Sequence, residues 1–114
     1  MYHVYISKHF KRQIKGLVKK YPNLKTDIRA TLKEFKKEQC ISLGAHTYKL
    51  RIGLKSAGRG KSAALRIIIL LIEVDSIIAP LTLYAKSDRA NIPRQEIMYH
   101  IALVRQEIQE TSEK

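Results

Sequence analysis

The run Leu65-Arg66-Ile67-Ile68-Ile69-Leu70-Leu71-Ile72 constrains this chain more than any other stretch. It is apolar at nearly every position and rich in β-branched residues, as expected of a central strand buried on both faces. Arg66 is the exception. A charge so near the start of a buried strand must reach out at the sheet end or find a partner, because burying it alone costs several kcal/mol. The stretch before it, Tyr48 to Lys55, alternates: Tyr48, Leu50, Ile52 and Leu54 point one way, and Lys49, Arg51, Gly53 and Lys55 the other. Period two predicts a strand with one buried face. On its exposed face Lys49 and Arg51 stand about 7 Å apart at the usual rise per residue. After the apolar run, Glu73-Val74-Asp75-Ser76 reads as a hairpin turn and Ile77 to Lys86 as the returning strand, with Thr82, Tyr84 and Lys86 on one face. Pro80 puts that strand near an edge or marks a bulge.

Helices flank these strands. Tyr2 to Ile6 alternates weakly and precedes Ser7, a good N-cap, so a short strand and then a helix to about Lys20 are expected. Phe10, Ile14, Leu17, Val18 and Tyr21 fall at helical spacing, leaving Lys8, Lys11, Arg12, Lys15 and Lys19 largely outside. Pro22 ends that helix. A second one restarts near Asn23 with Leu24, Ile28, Leu32 and Phe35 inward and Lys25, Arg29, Lys33, Lys36 and Lys37 mostly outward, giving a basic helical hairpin. Gly44 supplies the turn into the strand at Tyr48. A last helix opens at Asp88 or Asn91 and runs to about Glu110, with Ile97, Ile101, Val104 and Ile108 on one stripe. The expected fold is α+β: a small antiparallel β-sheet in the order β-α-α-β-β-β-α, in a single domain over residues 1–114.

Charge narrows the function. The 22 Lys and Arg against 10 Asp and Glu give +12, and residues 1–57 hold 14 of the basic and 3 of the acidic side chains. Such asymmetry is an electrostatic footprint for a polyanion, most often nucleic acid or the ribosome. The lone Cys40 allows no intramolecular disulfide and suits a reducing cytoplasm. Nothing before Tyr2 resembles a signal peptide, and the longest apolar run falls far short of the roughly 18 residues a bilayer span needs, so a soluble cytosolic protein is expected. His3, His9, His46 and His100 show no ligand spacing, and neither a metal nor another cofactor is expected.

The loop Ser56-Ala57-Gly58-Arg59-Gly60-Lys61-Ser62 ends in Gly-Lys-Ser but is not a P-loop. The glycine required five residues before Gly60 is Lys55, and a strand rather than a helix follows. What remains is flexible glycine and two cations for a backbone phosphate. If the strands are adjacent in one antiparallel sheet, Lys49, Arg51, Lys61, Arg66 and Lys86 converge. Arginine holds a phosphate bidentately and stabilises charge developing on phosphorus, and a lysine among other cations loses its proton more readily. On charge alone, a plain RNA-contact surface is the first expectation.

Tyr-Lys-Leu-Arg at 48–51, Gly-Lys-Ser at 60–62, Arg66 opening an apolar strand and Tyr-Ala-Lys-Ser at 84–87 before a final helix resemble the RelE/HigB branch of bacterial toxins from toxin–antitoxin pairs. The resemblance implies a small antiparallel sheet flanked by helices. It also implies a metal-independent endoribonuclease that enters the ribosomal A site, cleaves the bound mRNA through the RNA's own 2′-hydroxyl, and is held inactive by a cognate antitoxin. By position, Lys49 and Arg51 match the basic strand residues, Arg66 the phosphate-stabilising arginine and Lys86 the basic residue ending the last strand. Lys55, Arg59, Lys61, Ser62, Tyr84 and Arg89 are the accompanying candidate RNA contacts. Ala63, Ala64 and Leu65 depart from the family's usual Gly-Gly-aromatic before the arginine, and Ile92 stands near the place of a tyrosine some members carry.

Two other functions compete. ParE-like toxins of the same fold family poison DNA gyrase by binding, which does not require Lys49, Arg51 and Arg66 to converge. A degenerate toxin would bind RNA or antitoxin without cutting. The +12 charge predicts an antitoxin that is acidic or carries an acidic segment, beside mRNA and ribosome as the other partners and with no membrane.

Overall fold

The computed structural model describes residues 2–53 and 65–112. In chain order these form β1 (His3–Val4), α1 (Lys8–Lys20), α2 (Leu24–Lys33), β2 (Ile41–Gly44), β3 (Thr47–Arg51), β4 (Leu65–Ile72), β5 (Ile77–Ala85) and α3 (Arg94–Ser112), with short 3-10 turns at Lys37–Gln39 and Glu73–Asp75. The fold is α+β, with a five-stranded sheet in the order β1-β5-β4-β3-β2. The apolar run is the middle strand. Its two faces feed different layers. Leu65, Ile67, Ile69 and Leu71 pack with Phe10 and Ile14 of α1 and Leu24, Ile28 and Leu32 of α2, while Ile68 and Leu70 pack with Ile97, Ile101 and Val104 of α3. The sheet thus lies between the helical hairpin and the last helix, which explains why β4 lacks alternation.

The helix boundaries follow from local chemistry. Ser7 caps α1, its Oγ accepting from the Phe10 N–H at 2.9 Å, and Tyr21 leaves the helical region before Pro22. Both cationic faces point outward: Lys11, Arg12, Lys15, Lys19, Lys25, Arg29 and Lys33 are all exposed. The last helix begins at Arg94 rather than at Asp88 or Asn91. Pro93 holds Ile92 out of the helical region, and its carbonyl accepts from the N–H groups of Glu96 and Ile97.

The sheet differs from the expectation in two ways. It is mixed, because β1 runs parallel to β5, with His3 opposite Ile77 and Val4 opposite Ile78. It also contains β2, which folds back on β3 through Ala45 and His46. These two residues have φ of 51° and 62°, following Gly44 at 85°. A left-handed pair is what a two-residue hairpin loop requires, but Asn-Gly or Asp-Gly is its usual signature. Pro80 marks a bulge: Ile68 pairs with Thr82 and Ile69 with Pro80, leaving Leu81 as the extra residue on β5. That strand ends at Ala85, so Lys86 lies in the following turn rather than on it.

Candidate nucleic-acid interface

The strand alternation of β3 and β4 sets the cations. Arg51 is the register partner of Arg66, and Arg66 is in turn the partner of Tyr84, so the three form one row across β3, β4 and β5. Lys49 stands two residues along from Arg51, opposite Ile68. Like charges directly opposite in an antiparallel pair are destabilising, and no ion pair to a described residue relieves either arginine. The Arg66 Nη1 is buried and has no hydrogen-bond partner among the described residues. A donor so placed carries a desolvation cost that an anion arriving from outside would remove.

Strand β2 begins opposite Lys49, at Ile41. Past that point the β3 side of the sheet borders a cavity of about 520 Å³. Lys36, Lys49, Arg51 and Arg66 supply its cations, and Glu34 is the one carboxylate among the described residues lining it. Phe35, Cys40, Ile41, Leu50 and Ala30 give it an apolar side. Charge in such a recess is screened less than on an open surface, so it concentrates positive potential where a phosphate can enter.

Tyr84 is buried between Arg66 and α3, within the cluster of Ile92 and Ile97. Burial pushes its phenol above its ordinary value, against the opposing pull of Arg66 and Arg89, so it keeps its proton at neutral pH. Arg89 is anchored by Glu96, donating through Nη2 to Oε1 at 2.9 Å and through Nη1 to Oε2 at 3.0 Å. The Arg89 hydrogen bonds hold the Glu96 carboxyl below the usual carboxylate range. Lys86 is exposed, one residue beyond Ala85, the partner of Leu65. It shares the sheet end with Arg51 and Arg66 but does not line the cavity. Lys55, Arg59, Lys61 and Ser62 lie outside the described residues.

Several neighbours escape a reading of the sequence. Glu96 also meets His100 Nε2 at 3.4 Å, and His100 Nδ1 lies 2.6 Å from His9 Nε2 on α1. Both imidazoles are buried, and burial lowers both from their ordinary value. Glu107 of α3 accepts from the N–H groups of Lys8 and His9 at 2.9 and 3.0 Å, closing the first turn of α1. The spacing of Glu96 and His100 on one helix is visible in the sequence; the contact with His9, far away in the chain, is not. Among the described residues no three His, Cys, Asp or Glu side chains are grouped to hold a metal ion, and no helix is long and apolar enough to cross a membrane.

The end of the sheet carries opposed arginines and the exposed faces of the helical hairpin are basic. The family model described as the RelE toxin of the RelE / RelB toxin-antitoxin system matches residues 2–114. The chain belongs to the RelE toxin family and is a toxin of a toxin–antitoxin pair, with an antitoxin as its partner. No curated protein matches the chain.

Proposed function

We propose that this toxin is a ribosome-dependent endoribonuclease that cuts mRNA in the A site. The observation that carries this is the opposition of Arg51 and Arg66, with the buried Nη1 of Arg66 unpartnered among the described residues. Two guanidiniums so arranged repel each other and are complementary to a phosphate whose charge grows during reaction.

In the proposed reaction the 2′-hydroxyl of the RNA loses its proton and attacks the adjacent phosphorus. The 2′-O–P bond forms, the P–O5′ bond breaks, and a 2′,3′-cyclic phosphate and a 5′-hydroxyl result. Arg51 and Arg66 hold the non-bridging oxygens, and the neutral Tyr84 phenol donates to the same group. Lys49, in the cavity, takes the 2′-hydroxyl proton, and the leaving 5′-oxygen takes its proton from water while the Lys86 charge at the sheet end stabilises it. Lys55, Arg59, Lys61, Ser62 and Arg89 are the proposed further contacts to the RNA. The exposed cations of α1 and α2 meet ribosomal RNA, so the protein acts in the cytoplasm, and its antitoxin is acidic or carries an acidic segment.

Purified protein added to ribosomes programmed with a defined mRNA tests this. Cleavage within the A-site codon, lost in Arg66→Ala, is expected. Intact mRNA accompanied by inhibition of DNA gyrase would replace this reading with ParE-like action.

A further inference from the structure

The cavity beside Arg51 and Arg66 is larger and more apolar than a phosphate needs. Its volume of about 520 Å³ lies within the roughly 300–1,000 Å³ typical of small-molecule sites. Three of its four cations, Lys49, Arg51 and Arg66, come from the strands, whereas the end of α2 and the segment after it contribute Thr31, Glu34, Phe35, Lys36 and Gln39. The Phe35 ring is fixed by edge-to-face packing, with its centroid 6.0 Å from Tyr2 and 5.8 Å from Tyr48. A strand wall with three cations facing a wall with one, together with an aromatic ring, a carboxylate and an amide, has the polarity of a nucleotide, phosphate at one end and base at the other.

Glu34 is the informative residue. It occupies the C-cap of α2, where a negative charge opposes the helix dipole, and it makes no ion pair among the described residues. Neither its helix nor a salt bridge accounts for a carboxylate in a recess whose other charged lining residues, Lys36, Lys49, Arg51 and Arg66, are all cations. A carboxylate offers only acceptors. Guanine alone among the four RNA bases presents two adjacent donors, N1–H and the N2 amino group, on its Watson–Crick edge. Uracil would set two carbonyls against Glu34, and adenine and cytosine offer one amino group beside an acceptor. Unpaired RNA bases are read through that edge and by contact with aromatic side chains.

We propose that the cavity seats an unpaired guanine next to the phosphate held by Arg51 and Arg66, with Glu34 accepting from its N1–H and N2–H groups. This rests on the proposal that the phosphate belongs to RNA. The test is calorimetric titration of the full chain with the 3′-monophosphates of guanosine, adenosine, cytidine and uridine, and with inorganic phosphate, for the unmodified protein, Glu34→Gln and Arg66→Ala. Guanosine 3′-monophosphate should bind at least about fivefold more tightly than the other three, the low end of what a bidentate base contact discriminates. Glu34→Gln should erase that preference while inorganic phosphate binds as tightly or more tightly, since a negative charge leaves the recess, and Arg66→Ala should weaken all five ligands together. Glu34 is exposed and its charge opposes the dipole of α2, so a thermal melt of Glu34→Gln should have a midpoint no lower than the parent's. Equal binding of the four nucleotides, or a preference that survives Glu34→Gln, overturns the guanine site and leaves the phosphate site standing. Failure of the folded parent to bind any of the five overturns both.

Discussion

Arg51 and Arg66 face each other across β3 and β4, and the next residue in their row, on β5, is Tyr84 rather than a carboxylate. Opposed like charges weaken a strand pair by about 0.2–1 kcal/mol relative to neutral residues. Arg51→Thr, which removes one charge and supplies a good strand former, should therefore raise stability by about that amount. The same change should slow RNA cleavage about 100-fold or more, the effect of losing one preorganised donor at a developing oxyanion. Urea denaturation and single-turnover cleavage on the same variant check both halves.

Proton transfer separates the two lysines. Lys49 lines the cavity with Arg51 and Arg66, whereas Lys86 does not. Arginine keeps the charge but does not deprotonate in proteins. Lys49→Arg should therefore lose most of the cleavage rate, and Lys86→Arg should retain it. The unmodified rate should keep rising with pH above the range in which histidine titrates. Full activity in Lys49→Arg would leave electrostatic stabilisation and orientation as the protein's whole contribution.

The buried pair of His9 and His100 makes stability depend on pH. Facing His9 are His100, Arg12 and Glu107; facing His100 are His9, Glu96 and Arg89. Burial is the largest influence on each and lowers both from 6.5. The unfolded chain then takes up protons before the folded one does, so stability is full above pH 6.5 and falls as pH drops below it, until the folded values are passed. The slope is limited to about 1.4 kcal/mol per pH unit for each imidazole. Thermal melts from pH 7.5 to 5.5 should show the midpoint falling, with a shallower fall in His9→Gln.

Ala45 holds a left-handed conformation at φ 51° in the β2–β3 loop, and its side chain is exposed. A residue with a Cβ bears about 1 kcal/mol or more there that glycine does not. Ala45→Gly should raise stability by about 1 kcal/mol, less the extra freedom glycine gives the unfolded chain. Denaturant titration measures the difference. An unchanged or lower midpoint would show that the loop is not strained at this residue.

These relationships also show where the sequence was legible. The unbroken run at Leu65–Ile72 announces a strand covered on both faces, and Ser7, Pro22 and the apolar stripes of α1, α2 and α3 locate the helices, because those signals act within a few residues. The parallel pairing of His3 with Ile77 depends on contacts across most of the chain and has no local signature. Strand β2 is not legible because Ala45-His46 makes a turn whose usual signature is Asn-Gly or Asp-Gly. At the site, Lys49, Arg51 and Arg66 were visible as charges on period-two strands. Register made Arg51 the partner of Arg66, and folding brought Glu34 and Phe35 to the same cavity from a helix end that reads only as the edge of a basic hairpin.

Primer extension on mRNA from cells expressing either the unmodified protein or Arg66→Ala tests the central claim most directly. The Arg66 site predicts discrete breaks within translated frames for the former. It predicts intact transcripts for Arg66→Ala, with the variant folded and still bound by the antitoxin. Intact mRNA in cells arrested by the unmodified protein, or the same breaks from Arg66→Ala, would contradict it.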